Sequence, residues 1–410
     1  MVGGVSDKHV QQDITDAKKL GLDGFALNYD QFEWWSNDTV NYMFNYADKV
    51  GGFKLFFSFD HGAKRLSGNP MQYADYFKSY STRPSYFQFK DPNTGKDMPL
   101  VSTFGGEDVP DSQWAQFKSK VGNVLIVPGF YEAKPSADLF DSHKNIDGVF
   151  NWNSWQPTYA GKKTVSTSED LIFQSAAQKT KRIFMMGMSP VQFKHLGKDD
   201  SWYRRGEDNL EYRMGQTLEL QPDIIQLQSW NDAGEGHHMG NIWPEPLNDR
   251  TKDMTNDYPH TGYWQILPAF IQAWKRGDKT TANMVPTNGK AVQGAFWHHT
   301  LTVDGTCPND SVPKSNTVTQ LAEDAVSGVV LAPKGKKGLV AVVNVGGKEL
   351  NKMTLEPGFN KFKFTGMGTG KVQLEVWDGS TMVGGGYAPI EVKKQQQFCN
   401  YNFQVVGFPN

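Results

Sequence analysis

The sequence predicts an α/β protein: a closed (β/α)8 TIM-type barrel over residues 1–285, followed by an antiparallel β-sandwich over 286–410. Three observations lead there. A short apolar segment, a polar loop and an amphipathic helix recur eight times within about 280 residues, the number and size of a closed barrel. From about residue 291 the pattern changes to short alternating strands punctuated by Gly, Pro and Asn, as in a sandwich. Within the first half, residues 224–238 are apolar for half their length and end in Trp230, Asn231, Asp232, Glu235, His237 and His238. Parallel barrels present functional groups in this way, at the carboxyl ends of their strands.

The elements follow in order. Met1-Val2 reads as the remnant of an opening strand, so the chain is expected to be trimmed or to start late, with no signal peptide visible. Val10, Ile14, Ala17 and Leu20 recur at helical spacing and predict a helix over 10–20. Strands are expected at 22–29, 53–60, 98–104, 124–127, 147–152, 182–187 and 224–230. Helices separate them, among them 39–50, 114–121 and 171–180, with 261–276 as the last barrel helix. In the second half, strands are expected at 295–297, 328–331, 339–343, 361–364 and 372–377. An open doubly wound sheet is the alternative, but it requires a phosphate-type glycine loop after its first strand, and none is there. The run Gly366-x-Gly368-x-Gly370-Lys371 lies among strand patterns and reads as a hairpin turn, and His298-His299 as a strand pair.

Composition narrows the function. With a net charge of -2 and 21% charged residues, the 410-residue chain carries no field to steer nucleic acid or an anionic membrane. No 18-residue apolar run exists to span a bilayer. Aromatics reach 13%, with 12 tryptophans, which supplies a core and also the flat rings that stack on pyranoses. Sequons at Asn37 and Asn309 hint at secretion, while the sequence leaves open whether Cys307 and Cys399 pair.

Reading the strand ends in order collects Asn28, Asp60, Phe104, Glu107, Tyr131, Trp152, Asn153 and Trp155, then the cluster at 230–238. Carboxylates, amides and aromatics recur. A nucleophile elbow and a His-Glu-x-x-His motif are both missing, so serine, thiol and zinc chemistry fit poorly. The adjacent His237 and His238 point apart on an extended segment, and no metal or other cofactor is expected. Paired carboxylates among aromatics suit glycoside cleavage, one acid protonating the departing oxygen while another group activates water or attacks the anomeric carbon. Asp232 and Glu235 stand three residues apart, where Gly234 and Gly236 allow a bend. Asp60 ends the apolar run Leu55-Phe56-Phe57-Ser58-Phe59, so it is either functional or paired, for instance with Lys64.

The segments 53–60, 101–107 and 230–235, together with 23–28, 202–207 and 218–223, closely resemble glycoside hydrolase family 71, the fungal endo-1,3-α-glucanases or mutanases. The resemblance runs through nearly the whole chain in the same order. It implies hydrolysis of internal α-1,3-glucosidic bonds with inversion, by a barrel followed by a β-sandwich. Asp60, Asp232 and Glu235 match the family's acidic residues: Glu235 is assigned as general acid, Asp232 as general base, and Asp60 as a third essential carboxylate able to take either role. Asn28, Phe104, Glu107, Tyr131, Trp152, Asn153, Trp155, Trp230, Asn231, His237 and His238 are then the sugar-binding candidates. Departures fall at Gly236, at His238 and in Pro190-Val191-Gln192, which replaces a more aromatic stretch. The expected partner is α-1,3-glucan, met by a secreted monomer at the cell wall. An inverting pair is expected about 6.5–9.5 Å apart, a retaining or transglycosylating one about 5–5.5 Å. A wall-binding protein without chemistry is the remaining alternative.

Overall fold

The computed structural model describes residues 4–62, 66 and 68–409. The chain forms two compact units: Met1–Ser154, Ser166–Gly187 and Pro222–Leu227 in the first, and Trp155–Val165, Met188–Gln221 and Gln228–Asn410 in the second.

The first unit is a nearly closed, TIM-like barrel of seven parallel strands. Gly24–Tyr29, Lys54–Asp60, Asp97–Phe104, Leu125–Phe130, Gly148–Asn151, Ile183–Met188 and Ile224–Leu227 lie side by side in chain order. The eighth strand, expected from Met1-Val2, falls outside the described residues. Strands covered on both faces must be apolar throughout, and Leu125–Phe130 and Gly148–Asn151 are buried at every position. Leu100, Leu125, Val127, Phe150, Ile183 and Met185 form one shared cluster.

Local signals set the helix ends. Asp7–Leu20 begins where Ser6 accepts a hydrogen bond from the His9 N–H and stops at Gly21, whose φ of 95° only glycine adopts without cost. Its buried face is Val10, Asp13, Ile14, Ala17 and Leu20. The second helix starts at Trp34, five residues ahead of the expected 39, because its first turn carries an exposed tryptophan and no apolar stripe. The expected 261–276 helix divides into a 3₁₀ turn, Thr261–Gln265, and an α-helix, Leu267–Lys275, with Pro268 in its first turn.

The second unit holds two four-stranded antiparallel sheets. One orders Gly358–Thr365, Ala325–Ala332, Gln293–His299 and Phe403–Phe408; the other Lys348–Thr354, Leu339–Val345, Val372–Asp378 and Thr381–Tyr387. A single apolar cluster draws Phe296 and Val330 from the first sheet and Ala341, Val343, Leu374 and Val376 from the second. Cys307 and Cys399 form a disulfide. His298 and His299 are buried in the Gln293–His299 strand, where carbonyl oxygens satisfy His298 Nδ1 and His299 Nε2.

One sequence expectation needs correction. The Gly366–Lys371 stretch is no hairpin turn, because Gly358–Thr365 pairs in one sheet and Val372–Asp378 in the other, making the glycines a crossover. A hairpin that the sequence reading did not anticipate, Gln192–Gly197 with Asp200–Arg204, precedes the last barrel strand. Arg205, buried at its end, pairs with Asp208 at 2.6 Å and with Glu323, while Lys363 reaches the same two carboxylates at 2.9 Å. Each buried charge there has a partner, which avoids the penalty of a bare ion.

Candidate active site

The strand Ile224–Leu227 stops three residues short of the expectation, and residues 228–240 continue as a hydrogen-bonded loop. Ser229 Oγ accepts from the Asp232 N–H at 2.9 Å, and Asp232 Oδ1 accepts from the Glu235 N–H at 3.0 Å. The Ser229 N–H donates to the His237 carbonyl at 2.8 Å, closing the loop on itself. Gly236 turns the chain at φ 66°, and a Cβ there would meet the Phe193 carbonyl oxygen at 2.6 Å. Of the two glycines in this turn, Gly236 is therefore the one that conformation requires.

This turn brings three titratable groups together. His237 Nε2 lies 3.2 Å from Asp232 Oδ2 and 3.7 Å from Glu235 Oε2. One oxygen of each carboxylate and a ring nitrogen of His237 all lie within 4.8 Å of one another. His237 is buried behind the pair, while Asp232 and Glu235 are partly exposed. Burial pulls the imidazole down, but Asp232 and then Glu235 outweigh it and hold His237 above its ordinary value. Burial likewise pushes Asp232 up, yet His237 and the Glu235 N–H hold its carboxyl below the usual range. The arrangement is an imidazole braced between two carboxylates.

The hairpin completes the surroundings of Glu235. Gln192 Nε2 donates to Glu235 Oε2, Lys194 Nζ stands 3.4 Å from Oε1, and the Phe193 N–H donates to the Glu235 carbonyl at 3.0 Å. The sequence marks Gln192 only as part of a departure from the family pattern, and Lys194 not at all. Alternation from Gln192 to Leu196 and the Lys198-Asp199 turn could have revealed a hairpin, but no local signal shows which carboxylate it meets.

The remaining candidates of the second unit differ in what they offer. Trp230 is partly exposed and stacks on Trp264 at 5.9 Å and 17°, with Gly240 close against its indole, and Asn231 beside it is also partly exposed. His238, expected as a sugar contact, is 1% exposed and stacked on His260 at 4.1 Å, so it is a packing residue. Trp155 is corrected in the same way. It is 4% exposed, donates to the Pro190 carbonyl, and packs 5.6 Å from His237 with Arg204 over its face, leaving no open ring for a sugar.

The barrel unit carries the others. Asn28 lies on Gly24–Tyr29, and Asp60 closes Lys54–Asp60 half-buried. Lys64, its suggested partner, is outside the described residues. Glu107 accepts from the N–H groups of Gly106 at 2.7 Å and Tyr131 at 3.0 Å, and also from Glu132. Burial pushes its carboxyl up, but these N–H groups hold it below the usual range, so Glu107 fixes the loop that carries Tyr131. Burial takes the neighbouring His61 down to about 4. Phe104 packs between Tyr131 at 5.3 Å and Trp152 at 4.5 Å, and Asn153 donates to the Tyr131 carbonyl at 2.9 Å. These side chains form one partly exposed aromatic patch.

The family model for glycosyl hydrolase family 71 matches residues 1–410. The chain belongs to that family. Two relatives are similar to this family-71 chain along most of their length. A mutanase of Penicillium rubens is 27% identical, over 99% of this chain and 86% of its own. The ascus wall endo-1,3-alpha-glucanase of Schizosaccharomyces pombe is 25% identical, over 96% and 91%. A solved GH99 endo-alpha-mannosidase from Bacteroides thetaiotaomicron is similar at a TM-score of 0.47 and 14% identity, over 66% of this chain and 80% of that one.

In this family-71 chain the trio Asp232, Glu235 and His237 is also the donor set that could hold a metal. Its chemistry argues against one. Glu235 is already met by an amide donor and an ammonium.

Proposed function

We propose that this chain hydrolyses internal α-1,3-glucosidic bonds of a glucan. The observation that carries the reading is the family match over residues 1–410, with relatives named as a mutanase and an endo-1,3-alpha-glucanase. The carboxylate pair braced by His237 supplies the chemistry. One carboxyl protonates the departing glycosidic oxygen as the C1–O bond breaks, and a second takes a proton from the water that bonds to C1. Asp60, Asp232 and Glu235 are the acids assigned to this work, with Glu235 as proton donor and Asp232 as base. Trp230, Asn231 and the Phe104, Tyr131 and Trp152 patch are the sugar platforms, with Asn28 and Asn153 as hydroxyl partners.

In the same proposal, residues 1–285 form a (β/α)8 barrel and 286–410 a sandwich accessory domain, in a secreted monomer acting at a cell wall. The disulfide and the exposed sequon asparagine Asn309 favour an extracytoplasmic setting; Asn37 is engaged by the Tyr29 hydroxyl at 2.9 Å.

A retaining course is the second reading, because the nearest oxygens of Asp232 and Glu235 lie within 4.8 Å, short of the expected inverting gap of about 6.5–9.5 Å. Inversion then requires one of this pair to work with a different acid, and Asp60 is the candidate. NMR of the first-formed anomer, with D60N beside the wild type, tests this. A β-anomer released first, with D60N inactive, supports inversion; an α-anomer released first establishes retention and removes Asp60 from the water-activating role.

A further inference from the structure

One four-stranded sheet of the second unit carries an outer face that the acid loop does not use. In Val372–Asp378 the residues alternate. Val372, Leu374 and Val376 enter the apolar cluster, so Gln373, Glu375 and Trp377 stand on the opposite face, where they are partly exposed. The edge strand Thr381–Tyr387 sets Met382 beside Trp377, Gly385 beside Glu375 and Tyr387 beside Gln373. Cross-strand partners share a face, and here Met382 is 46% and Tyr387 58% exposed. Gly385 leaves the middle of the row bare. Its φ of 147° and the Leu374 carbonyl oxygen, which a Cβ would run into, both exclude a side chain. On the other flank, Leu339–Val345 adds Val340 beside Trp377 and Asn344 beside Gln373.

The Trp377 ring is fixed by its edge. Its Nε1–H donates to Glu375 Oε2 at 3.2 Å, and Gln373 Nε2 donates to Oε1 of the same carboxylate at 3.5 Å. A ring held in this way offers its flat face to a partner at little cost in side-chain entropy. Strands rise about 3.4 Å per residue, so the step from Gln373 to Trp377 sets the Tyr387 and Trp377 side chains about 14 Å apart, with the Gly385 backbone between them. The charges on this face are engaged: Lys352 pairs with Glu349 at 3.3 Å, and Glu375 accepts from Trp377 and Gln373. A polyanion finds no cationic excess here, and the amides and carboxylates interrupt any apolar surface for a lipid. A neutral chain that alternates flat ring faces with hydroxyl groups matches both kinds of group.

We propose that this sheet face is a second glucan-binding site. Trp377 and Tyr387 stack on the apolar faces of glucose rings, while Asn344, Gln373 and Glu375 meet their hydroxyls. The assignment deepens the proposed function and rests on it for the choice of glucan. Held by this face as well as at the acid loop, an insoluble polymer is bound by two sites on one chain, and the second contact forms at the high local concentration that the first creates.

The experiment uses the full chain carrying E235Q, which slows consumption of the ligand. Depletion isotherms on insoluble α-1,3-glucan compare E235Q with W377A and Y387A in the same background. In parallel, the nitrogen-15 signal of the Trp377 indole N–H, assigned by W377F, is followed as a soluble α-1,3-glucooligosaccharide is added. Kd is expected to rise about tenfold in each variant, as for the loss of an anchoring aromatic, and the indole signal to move saturably. An unchanged Kd in either folded variant, or an indole signal that stays in place throughout the titration, overturns the proposal. A dimer in sedimentation that Y387A dissolves overturns it in favour of contact between copies of the chain. Tyr387 is exposed, so Y387A carries the test if W377A fails to fold. Neither readout needs cleavage: a wild type that releases no reducing ends overturns the proposed function while this face is still decided.

Discussion

Replacing His237 with Gln removes the imidazole held between Asp232 and Glu235 while keeping much of the side-chain volume. At 3.2 Å the Coulomb attraction between His237 Nε2 and Asp232 Oδ2 is about 5 kcal/mol at an effective dielectric of about 20, and about 1.3 kcal/mol in bulk water. The Asp232 side chain is 42% exposed, so water screens the pair and the lower part of that range applies, about 1–2 kcal/mol. About one pH unit corresponds to this. The pH dependence follows from the two shifts. His237 is raised, so its contribution is complete below its unfolded value of 6.5 and is lost as pH rises through the folded value. Asp232 is depressed, so its contribution is complete above 3.8 and is lost as pH falls through its folded value. The stability difference between wild type and H237Q, from denaturant unfolding at a series of pH values, is therefore largest between those two reference values and shrinks on either side. A constant difference from pH 4 to 9 would mean a neutral His237 and would refute the reasoning.

Two further outcomes follow from the second unit. The Cys307–Cys399 bridge closes a separation of 92 residues, for which chain entropy gives a stabilisation of about 4.6 kcal/mol; guanidinium unfolding with and without reductant should show the midpoint falling, and an unchanged midpoint would contradict this. In G236A a methyl group would meet the Phe193 carbonyl in a left-handed conformation, a cost of about 2 kcal/mol or more, with kcat falling as the hairpin shifts; a melting temperature equal to the wild type would count against that packing.

The barrel was legible because its strands are buried on both faces and so read as apolar runs, as Leu125–Phe130 does, with helical spacing such as that of Val10, Ile14, Ala17 and Leu20 in its helices. The acid loop was legible because Trp230, Asp232, Glu235 and His237 crowd one strand end. What stayed hidden depends on contacts distant in sequence. Nothing near Lys194 announces that it meets Glu235, which lies 41 residues on. His238 looks as available as His237 in sequence, yet stacking on His260 removes it from the surface. The glycines at 366–370 read equally well as a hairpin or a crossover, since only the pairing of the flanking strands decides between them.

The central claim is that Asp232 and Glu235 carry the cleavage of α-1,3-glucan. Release of reducing ends from insoluble α-1,3-glucan by the wild type, D232N and E235Q tests it most directly. The account predicts steady release by the wild type and a loss of about 10²–10⁴-fold in each variant, with both variants folded. Near-native turnover in either one would contradict it.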